Sequence, residues 1–462
     1  MADPHNSNRW AFCYGHDVSG ASRSARLRIV TRSGTTVTTS SEFLVTTSTT
    51  QGRYYQMIWD VNRPNRIIVA AMGASSRSYV SVITIGGTAG SETFTRTVDM
   101  TQVGNNAPYS QDSRMCSPQL KHLGTTGDNY MWAYFYNGST TRYHVFSVEA
   151  SSVTARIQDS TFWGDSSQVP ANFDIDPGGS YGITTMIKGN RWWMKSFEIS
   201  NPDATNVSIS FANEQYVIGS STQYYIEASV GTEVNYVGPG QFVVSAFNAS
   251  ATHGNNANKY KGVYRIIKWD NSSTFTKSAS YFHRPAQVTA INSTNPERSH
   301  FTTRSTRANP DIIYAFCSYN TNPSYYMYGY RVVADTANNT LTFSDAAATD
   351  VTRGSWWGLD VQDDNDSTIL WYRELHSSNS SFRLLKGGGP GDTLESYIGF
   401  ATGTVSDGGN VTVKTVGNTA THSGLTPGAA YYVQRNGTIA TDPATPSVKA
   451  GVAISATSIL VK

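Results

Sequence analysis

The sequence predicts an all-β protein, a β-propeller of about seven blades followed by a small β module. A short strand pattern recurs through most of the 462 residues, and it stops at a glycine–proline stretch near the carboxyl end. Aromatic residues make up 12% of the chain and charged residues only 15%. Many aromatic residues with little charge indicate a packed, strand-rich protein, since disordered chains show the opposite balance.

The recurring segment has the same order of residue types in each copy. A large or branched residue precedes a small one, then come apolar or aromatic residues, and a Gly, Asn or Ser break follows. A spacing of roughly 50 to 70 residues between copies is typical of propellers. The copies are WAFCYGH from Trp10, VAAMGAS from Val69, WAYFYNGS from Trp132, ITTMIKG from Ile183, VSAFNAS from Val244, YAFCSYN from Tyr314 and a degenerate LWYRELH from Leu370.

The segments beside each copy complete a four-stranded unit. A second apolar strand follows each copy, most units then have a more polar alternating strand, and another strand precedes several copies. Apolar inner strands with an alternating outer strand are typical of propeller blades. The first unit lacks a clear innermost strand and the last lacks a clear outermost one. Seven blades are therefore predicted, with six or eight as alternatives.

Three aspartates end the strand that precedes a copy, Asp60, Asp174 and Asp360. Their repetition beside turns favours a structural role, because Asp side chains bind turn backbone. A glycosidase needs two carboxylates around one bond. The propeller segment contains no sialidase-type Asp box, and the chain has no phosphate-binding loop or paired metal-ligand spacing. The sequence therefore predicts no catalytic residue, no metal site, no cofactor and no enzyme activity.

Two classes of connection between the predicted strands are long. They follow the outer strand or join the second strand to the third, as in 101–121, 162–171, 249–260 and 284–302. Elaborated loops on one face of a rigid scaffold are where recognition usually resides. Exposed aromatic rings suit sugars and proteins. The binding candidates in or beside these loops are Tyr109, Trp163, Tyr260 and Tyr319.

The charge pattern excludes some partners. With 35 Lys and Arg against 33 Asp and Glu, and no basic cluster, nucleic-acid binding is not expected. No segment approaches the 18 or so apolar residues of a membrane span, so no membrane insertion is expected. The amino-terminal residues lack the pattern of a signal peptide. Synthesis in a host cytoplasm followed by incorporation into a virion is the localisation that this favours.

The repeat ends at a glycine–proline segment. The predicted domains are a β-propeller over 1–386, a hinge over 387–391 and a carboxyl-terminal β module over 392–462. In the module, GLTPGAAYYVQRNGTIAT contains an Asn-Gly pair between alternating residues, the strongest short signal for a β-hairpin.

The module resembles one found at the carboxyl end of many bacteriophage tail-fibre and other virion proteins. The resemblance rests on the order of YIGFATGTVSDGGNVTVKTVG, GLTPGAAYYVQRNGTIAT and KAGVAISATSILVK, which is the final sixth of the chain. It implies a virion location and a role in assembly or in capping a multimer. It implies no catalytic residue.

The first functional hypothesis is a bacteriophage virion structural protein, in the tail or a tail fibre. Its partners would be other virion proteins and a host cell-surface glycan or protein, bound as a homo-oligomer through loop aromatics and polar side chains. The alternative is a glycan-binding, lectin-like or carbohydrate-active propeller protein. A purely structural virion component is a third hypothesis.

Overall fold

The computed structural model describes most of the chain. The described residues are 1–18, 22–33, 36–46, 55–73, 77–106, 119–136, 140–164, 172–188, 191–218, 232–248, 261–269, 275–283, 301–305, 310–320, 325–349, 356–361, 368–374, 381–386, 397–403, 410–433, 439–442 and 448–462. Within these ranges all regular secondary structure is β-strand. The same ranges contain no helix with the length and apolar character needed to cross a membrane.

The described residues up to Lys386 form seven successive antiparallel sheets, called blades 1 to 7. Blade 1 consists of β1 (Ala2–Asp3), β2 (Asn6–Val18), β3 (Ser22–Ser33), β4 (Thr36–Thr39) and β5 (Phe43–Leu44), and blade 2 of β6 (Tyr55–Trp59), β7 (Arg66–Met72), β8 (Ser78–Thr88) and β9 (Ser91–Gly104). Blade 3 consists of β10 (Gln119–His122), β11 (Asn129–Tyr136), β12 (Thr140–Val148) and β13 (Val153–Trp163). Blade 4 consists of β14 (Asn172–Ile175), β15 (Tyr181–Lys188), β16 (Arg191–Ser200), β17 (Ser208–Phe211) and β18 (Gln215–Tyr216).

Blades 5 to 7 follow the same order. They consist of β19 (Thr232–Gly238), β20 (Gln241–Asn248), β21 (Lys261–Trp269), β22 (Phe275–Lys277) and β23 (Tyr281–His283); β24 (Phe301–Ser305), β25 (Ile312–Asn320), β26 (Tyr325–Asp335) and β27 (Thr340–Thr349); and β28 (Trp356–Val361), β29 (Thr368–Glu374) and β30 (Ser381–Lys386).

The first strands of successive blades lie beside one another, from β6 through β10, β14, β19 and β24 to β28. Each blade therefore runs outward from a shared centre through its second, third and fourth strands. Sheets arranged radially in this way are the blades of a β-propeller. The predicted fold class is confirmed, and the described residues contain seven blades.

The recurring motif is the second strand of each blade, and its composition follows from its position. In β7 every residue is buried, because both faces of the strand pack against neighbouring blades. The outer strand β9 alternates between exposed and covered residues, as a strand at the rim does. The small residue of the motif is buried wherever its side chain is described, which lets neighbouring sheets approach closely. These residues are Ala11, Ala70, Ala133, Thr184, Ser245 and Ala315.

Apolar side chains between adjacent blades form the core. One cluster joins blades 2 and 3 and includes Ile68, Val82, Trp132 and Phe146. Others join blades 1 and 2, blades 3 and 4, blades 4 and 5, and blades 5 and 6. Stability therefore resides in contacts between blades, which each blade needs because a single sheet cannot bury both of its faces.

Blade 1 has an innermost strand that the sequence pattern does not reveal. β1 has only two residues, too few for a periodic signal, and it pairs with β2. Its position is held by specific bonds. The amino-terminal nitrogen of Met1 donates to the Ala11 carbonyl at 2.5 Å, and Trp59 Nε1 donates to the Met1 carbonyl at 3.1 Å. The fully buried Asp3 forms an ion pair with Arg9 at 2.5 Å.

Blades 1, 4 and 5 each carry a short fifth strand, β5, β18 and β23, paired beside the fourth strand on the third. In two of them a buried serine bridges the break between the outer strands. Ser40 Oγ accepts the Ile29 N–H at 2.9 Å, and Ser278 Oγ accepts the Ile266 N–H at 3.0 Å. These short strands place side chains at the outer margin of the grooves between blades.

The chain divides into two compact units, one of 1–363 with 370–383 and one of 364–369 with 384–462. The predicted hinge at 387–391 lies outside the described residues. The second unit has a five-stranded sheet in the order β33-β37-β36-β34-β35 and a separate β31–β32 pair. Its strands are β31 (Phe400–Ala401), β32 (Val413–Lys414), β33 (Thr419–Thr421), β34 (Ala430–Val433), β35 (Ile439–Ala440), β36 (Lys449–Ser455) and β37 (Ser458–Val461).

Candidate functional site

The structure describes the four predicted binding residues to different extents. Tyr109 and Tyr260 lie outside the described residues. Tyr319 lies in β25, where only the backbone is described. These three tyrosines therefore stay predictions.

Trp163 is the fourth predicted binding residue, and its position in the structure corrects that prediction. It is the last residue of β13, and it is fully buried in the core between blades 3 and 4. Its Nε1 donates to Thr184 Oγ1 at 3.0 Å, and Lys195 Nζ lies 4.4 Å from its ring centroid. Both the ring and its polar atom have partners inside the protein, because the end of β13 turns its side chain toward blade 4. Trp163 is a packing residue and offers no face to a ligand.

A different aromatic pair is accessible on blade 4. Trp193 on β16 pairs in register with Tyr216 on β18, and their ring centroids are 4.0 Å apart at 36°. Arg191 Nη1 donates to Tyr216 Oη at 2.8 Å, and the guanidinium carbon lies 5.6 Å from the Tyr216 ring centroid. Arg191 is exposed and both rings are half-buried. We call these three residues the blade 4 aromatic site.

Strand direction places this site at the end of the propeller that carries the long connections. In an antiparallel blade, the link from the second strand to the third and the link to the next blade leave from the same end. Arg191 begins β16, directly after such a link, and Tyr216 ends β18 just before the link to blade 5. Lys277 of blade 5 also reaches the site, donating from Nζ to the Tyr216 carbonyl at 2.5 Å.

The sequence holds only part of the signal for this site. The RWW segment at 191–193 marks an aromatic strand start, but Tyr216 lies in a two-residue strand with no periodic pattern. Pairing between residues 193 and 216 and contact with residue 277 depend on tertiary structure. The sequence-based prediction places binding rings in or beside the long loops, whereas this pair lies at the strand ends beside them.

The other two short fifth strands also bring half-buried rings to a groove between blades. Phe43 of β5 stacks on Phe94 of blade 2 with centroids 5.0 Å apart, and Arg96 lies 4.7 Å from the Phe43 centroid. His283 of β23 stacks on Phe343 of blade 6 at 4.6 Å and 8°. A ring at the outer margin is thus a repeated feature of the blades with a fifth strand.

Charged side chains on the first strands connect blades 3 to 6. Lys121 Nζ and Asp174 Oδ1 are 2.9 Å apart, joining β10 to β14. Glu233 Oε2 accepts from Asn172 Nδ2 at 2.6 Å and from Arg304 Nη1 at 3.0 Å, joining β14, β19 and β24.

Asp174 and Glu233, the two carboxylates in these contacts between first strands, both have close partners. Asp174 Oδ2 also accepts the backbone N–H of Tyr236 at 2.8 Å, and Glu233 is bound by an amide and a guanidinium. Asp174 and Glu233 thus hold adjacent first strands together, which gives both carboxylates a structural role.

The structural role predicted for the repeated aspartates is supported at Asp60. This residue is fully buried, and its Oδ1 accepts the N–H groups of Asn62 at 3.1 Å and Arg63 at 3.2 Å. It also accepts from Tyr130 Oη of blade 3 at 3.1 Å. Burial and this negative neighbour raise the pKa of Tyr130. Asp60 therefore caps its own turn and ties blade 2 to blade 3.

The equivalence assigned to Asp174 is corrected. The turn after β14 is capped by Asp176, whose carboxylate accepts from Gly178 N at 2.9 Å, Ser180 N at 2.7 Å and Tyr181 N at 2.8 Å. Asp176 is therefore the counterpart of Asp60, two residues beyond Asp174. The apolar–Asp–Ile pattern misaligned the turn, because two aspartates flank Ile175. The side chain of Asp360 lies outside the described set.

A Ser–His–Asp grouping between blades 2 and 3 is not arranged for nucleophilic attack. His144 Nε2 lies 3.0 Å from Ser78 Oγ and 2.8 Å from Tyr134 Oη, and its Nδ1 accepts the backbone N–H of Asp159 at 3.0 Å. With Nδ1 as acceptor, the neutral ring carries its proton on Nε2 and cannot take one from Ser78 there. Burial lowers the pKa of His144 to about 4, so the ring is neutral near pH 7. All of Ser78 and His144 is buried, which makes this a packing network.

Comparisons with known proteins identify the fold and no family. No protein-family description matches the sequence, and no curated protein matches it. The structure is similar to the BP39L lectin from Burkholderia pseudomallei, with a TM-score of 0.54, 8% identity, and coverage of 84% of this chain and 94% of that one.

Two further similar structures are enzymes by their descriptions. One is a putative 6-phosphogluconolactonase from Bacteroides uniformis, with a TM-score of 0.46, 12% identity and coverage of 82% of this chain and 97% of that one. The other is an α-L-arabinanase from Penicillium chrysogenum, with a TM-score of 0.42, 9% identity and coverage of 72% and 92%.

The sequence-based prediction that the chain is not an enzyme is wrong as a deduction from fold and motifs. One fold hosts many unrelated functions, so neither the propeller nor the absence of short motifs excludes catalysis. The comparisons establish that the chain has an all-β propeller fold.

Proposed function

We propose that the propeller binds glycans, with the blade 4 aromatic site as a contact surface. The observation that carries the proposal is the half-exposed Trp193–Tyr216 pair, with Arg191 bonded to the tyrosine hydroxyl. Aromatic rings present an apolar face to the C–H groups of a sugar, while the polar atoms beside them bind its hydroxyls. Similarity in fold to a lectin supports the same hypothesis.

The position of the site supports recognition. It lies on rigid strands at the propeller end from which the long connections depart, and binding residues usually cluster on such a face. Rings near the other short strands, at Phe43 and His283, suggest that several grooves between blades take part. Several weak contacts on one scaffold would add up to higher avidity for a repeating polysaccharide.

The test is a glycan-array screen with the full chain, followed by calorimetry on a bound glycan. Trp193→Ala should weaken binding at least about 10-fold, because Trp contacts often dominate binding surfaces. Val37→Ala, which changes an exposed apolar side chain on β4, is the matched control. Absence of binding to any glycan, or unchanged affinity in Trp193→Ala, would refute this assignment.

Hydrolysis is measured in the same samples, since the fold also occurs in enzymes. Reducing-end release from bound polysaccharides separates a carbohydrate-active protein from a lectin. If Asp174→Asn or Glu233→Gln abolishes product formation, catalysis is assigned to these first-strand carboxylates. Binding without product would assign recognition alone.

We also propose, as a second candidate, that the chain is carried on a bacteriophage virion as a homo-oligomer. The sequence resemblance of the carboxyl-terminal module to tail-fibre modules supports this. So does the surface of the second unit: among the described residues it holds four of the five exposed large apolar side chains, Ile398, Val411, Val416 and Ile454. Exposed apolar groups concentrated in a small module favour association.

Native mass by light scattering tests this candidate. A trimer, hexamer or larger assembly of the full chain is the expected result, since such parts assemble symmetrically. Val416→Asp, which changes the most exposed of these side chains, should lower the mass while leaving the propeller folded. A monomer at micromolar concentration would contradict the oligomer hypothesis, and it would leave glycan binding to be judged by its own assay.

A further inference from the structure

Positively charged groups lie at both ends of Tyr216. Its hydroxyl accepts from Arg191 Nη1 at 2.8 Å, and its backbone carbonyl accepts from Lys277 Nζ at 2.5 Å. Arg191 belongs to blade 4 and Lys277 to blade 5, so cations from neighbouring blades contact the side chain and the backbone of this one residue. Arg191 is the cation that lies beside the aromatic ring.

No carboxylate is found with either cation in the described ranges. Arg191 bonds to a phenol and lies over the same ring, and Lys277 bonds to a carbonyl. Burial lowers the pKa of Lys277, and the positive charge of Arg265 lowers it further. Arg265 donates to the carbonyls of Val217 and Ser278. By contrast, Lys121 and Arg304 on the first strands each face a carboxylate at 3.0 Å or less.

We infer that the blade 4 aromatic site selects anionic glycans, those with a carboxylate or sulfate beside a sugar ring. The inference rests on the proposed glycan-binding function and names the chemical class of its ligand. The ring of such a sugar would lie on Trp193 and Tyr216, and its anionic group would bind Arg191. A guanidinium forms charge-assisted, bidentate hydrogen bonds with a carboxylate or sulfate. Because Arg191 is exposed, salt should screen this attraction.

The test compares glycans in matched pairs with the full-length protein. The pairs are an oligogalacturonate and its methyl ester, a sulfated galactan oligosaccharide and its desulfated form, and a sialylated oligosaccharide and its desialylated form. The anionic member of at least one pair should bind at least about 10-fold more tightly than its neutral partner. That preference should shrink as NaCl is raised from 20 to 500 mM in the assay, because salt screens the charge.

Two variants separate this inference from the general proposal. Arg191→Gln should remove the preference for the anionic glycan, lowering the affinity for the anionic member of a pair about 10-fold more than the affinity for its neutral partner. Trp193→Ala should weaken both members of the pair. Arg77→Gln changes an exposed arginine of blade 2 whose side chain donates to Gln102, and it is the control for loss of one positive charge.

Each outcome decides one of the two statements. Equal binding of both members of every pair, or binding of neutral glycans alone, overturns the anionic selectivity and leaves the glycan-binding proposal standing. If Arg77→Gln reduces the preference for the anionic glycan as much as Arg191→Gln does, the preference reflects net charge. That result also overturns the anionic selectivity. Failure to bind any glycan rejects the proposed function and the selectivity together. Circular dichroism of each variant checks that the fold is intact.

Discussion

Arg63 and Asp128 form a two-point ion pair between blades 2 and 3. Their Nη1–Oδ1 and Nη2–Oδ2 distances are 2.7 and 2.6 Å. Hydrogen bonding from Arg63 lowers the pKa of Asp128, against the opposing effect of burial. The pair lies beside the capped turn of Asp60, so one arginine joins turns from two blades.

Replacing Asp128 with Asn should therefore lower the free energy of unfolding by about 1–2 kcal/mol, because a bidentate ion pair stabilises a fold more than an ordinary surface ion pair does. Urea unfolding at pH 7 measures the loss. Glu149→Gln, at an exposed carboxylate 3.8 Å from Arg156, is the control and should change stability by less than about 0.5 kcal/mol. Equal losses in the two variants would contradict a specific role for the pair.

Acid should destabilise the protein through His144. The folded pKa of about 4 is below the ordinary value of 6.5, because burial disfavours the charged ring. As pH falls below 6.5 the unfolded chain takes up a proton that the folded chain does not, so stability is lost between about pH 6.5 and 4. The loss from pH 7 to pH 5 should be roughly 2 kcal/mol.

Unfolding free energies at pH 7, 6 and 5 test this expectation. His144→Gln, which keeps polar atoms in the network with Ser78 and Tyr134, should be less stable at pH 7 and show a flatter pH dependence over this interval. Parallel pH profiles for the variant and the wild type would show that His144 is not the group responsible.

Truncation of the two tryptophans near blade 4 should affect different properties, stability for Trp163 and glycan binding for Trp193. Trp163→Ala removes a fully buried ring and should cost about 3–5 kcal/mol of stability. Trp193→Ala removes a half-buried ring at the margin and should cost less, while it removes glycan binding. Thermal unfolding together with the binding assay measures both effects. Comparable stability losses would place Trp193 in the core as well.

Gly179 should tolerate no side chain. Its φ is +67°, and a Cβ there would lie 1.9 Å from the backbone nitrogen of Gly124 in blade 3. Gly179→Ala should therefore cost at least about 1–2 kcal/mol, through strain and through separation of the two blades. Gly164→Ala adds a methyl group that would lie more than 4 Å from every atom of the described residues, and it should be nearly neutral. Chemical denaturation compares the two, and equal stability would refute the close approach.

The sequence alone determined the repeated blade. Second strands are recognisable because a strand that packs on both faces needs continuous apolar residues, and the close approach of sheets requires a small one among them, as at Ala11 and Ala133. The sequence pattern does not show the two-residue β1, because so short a strand has no periodicity. It places Asp174 in line with Asp60 because a local pattern does not distinguish which of two aspartates caps the turn, a role that Asp176 fills.

Only the tertiary structure decided the candidate site. Trp163 is buried because blade 4 covers the end of β13. Trp193 packs against the same core cluster but stays half-buried, on the third strand beside the two-residue β18. Tyr216 meets Trp193 across a strand pair and Lys277 across a gap between blades. Local composition sets which residues form strands, but whether a ring packs or binds depends on neighbours far along the chain, which a one-dimensional pattern does not contain.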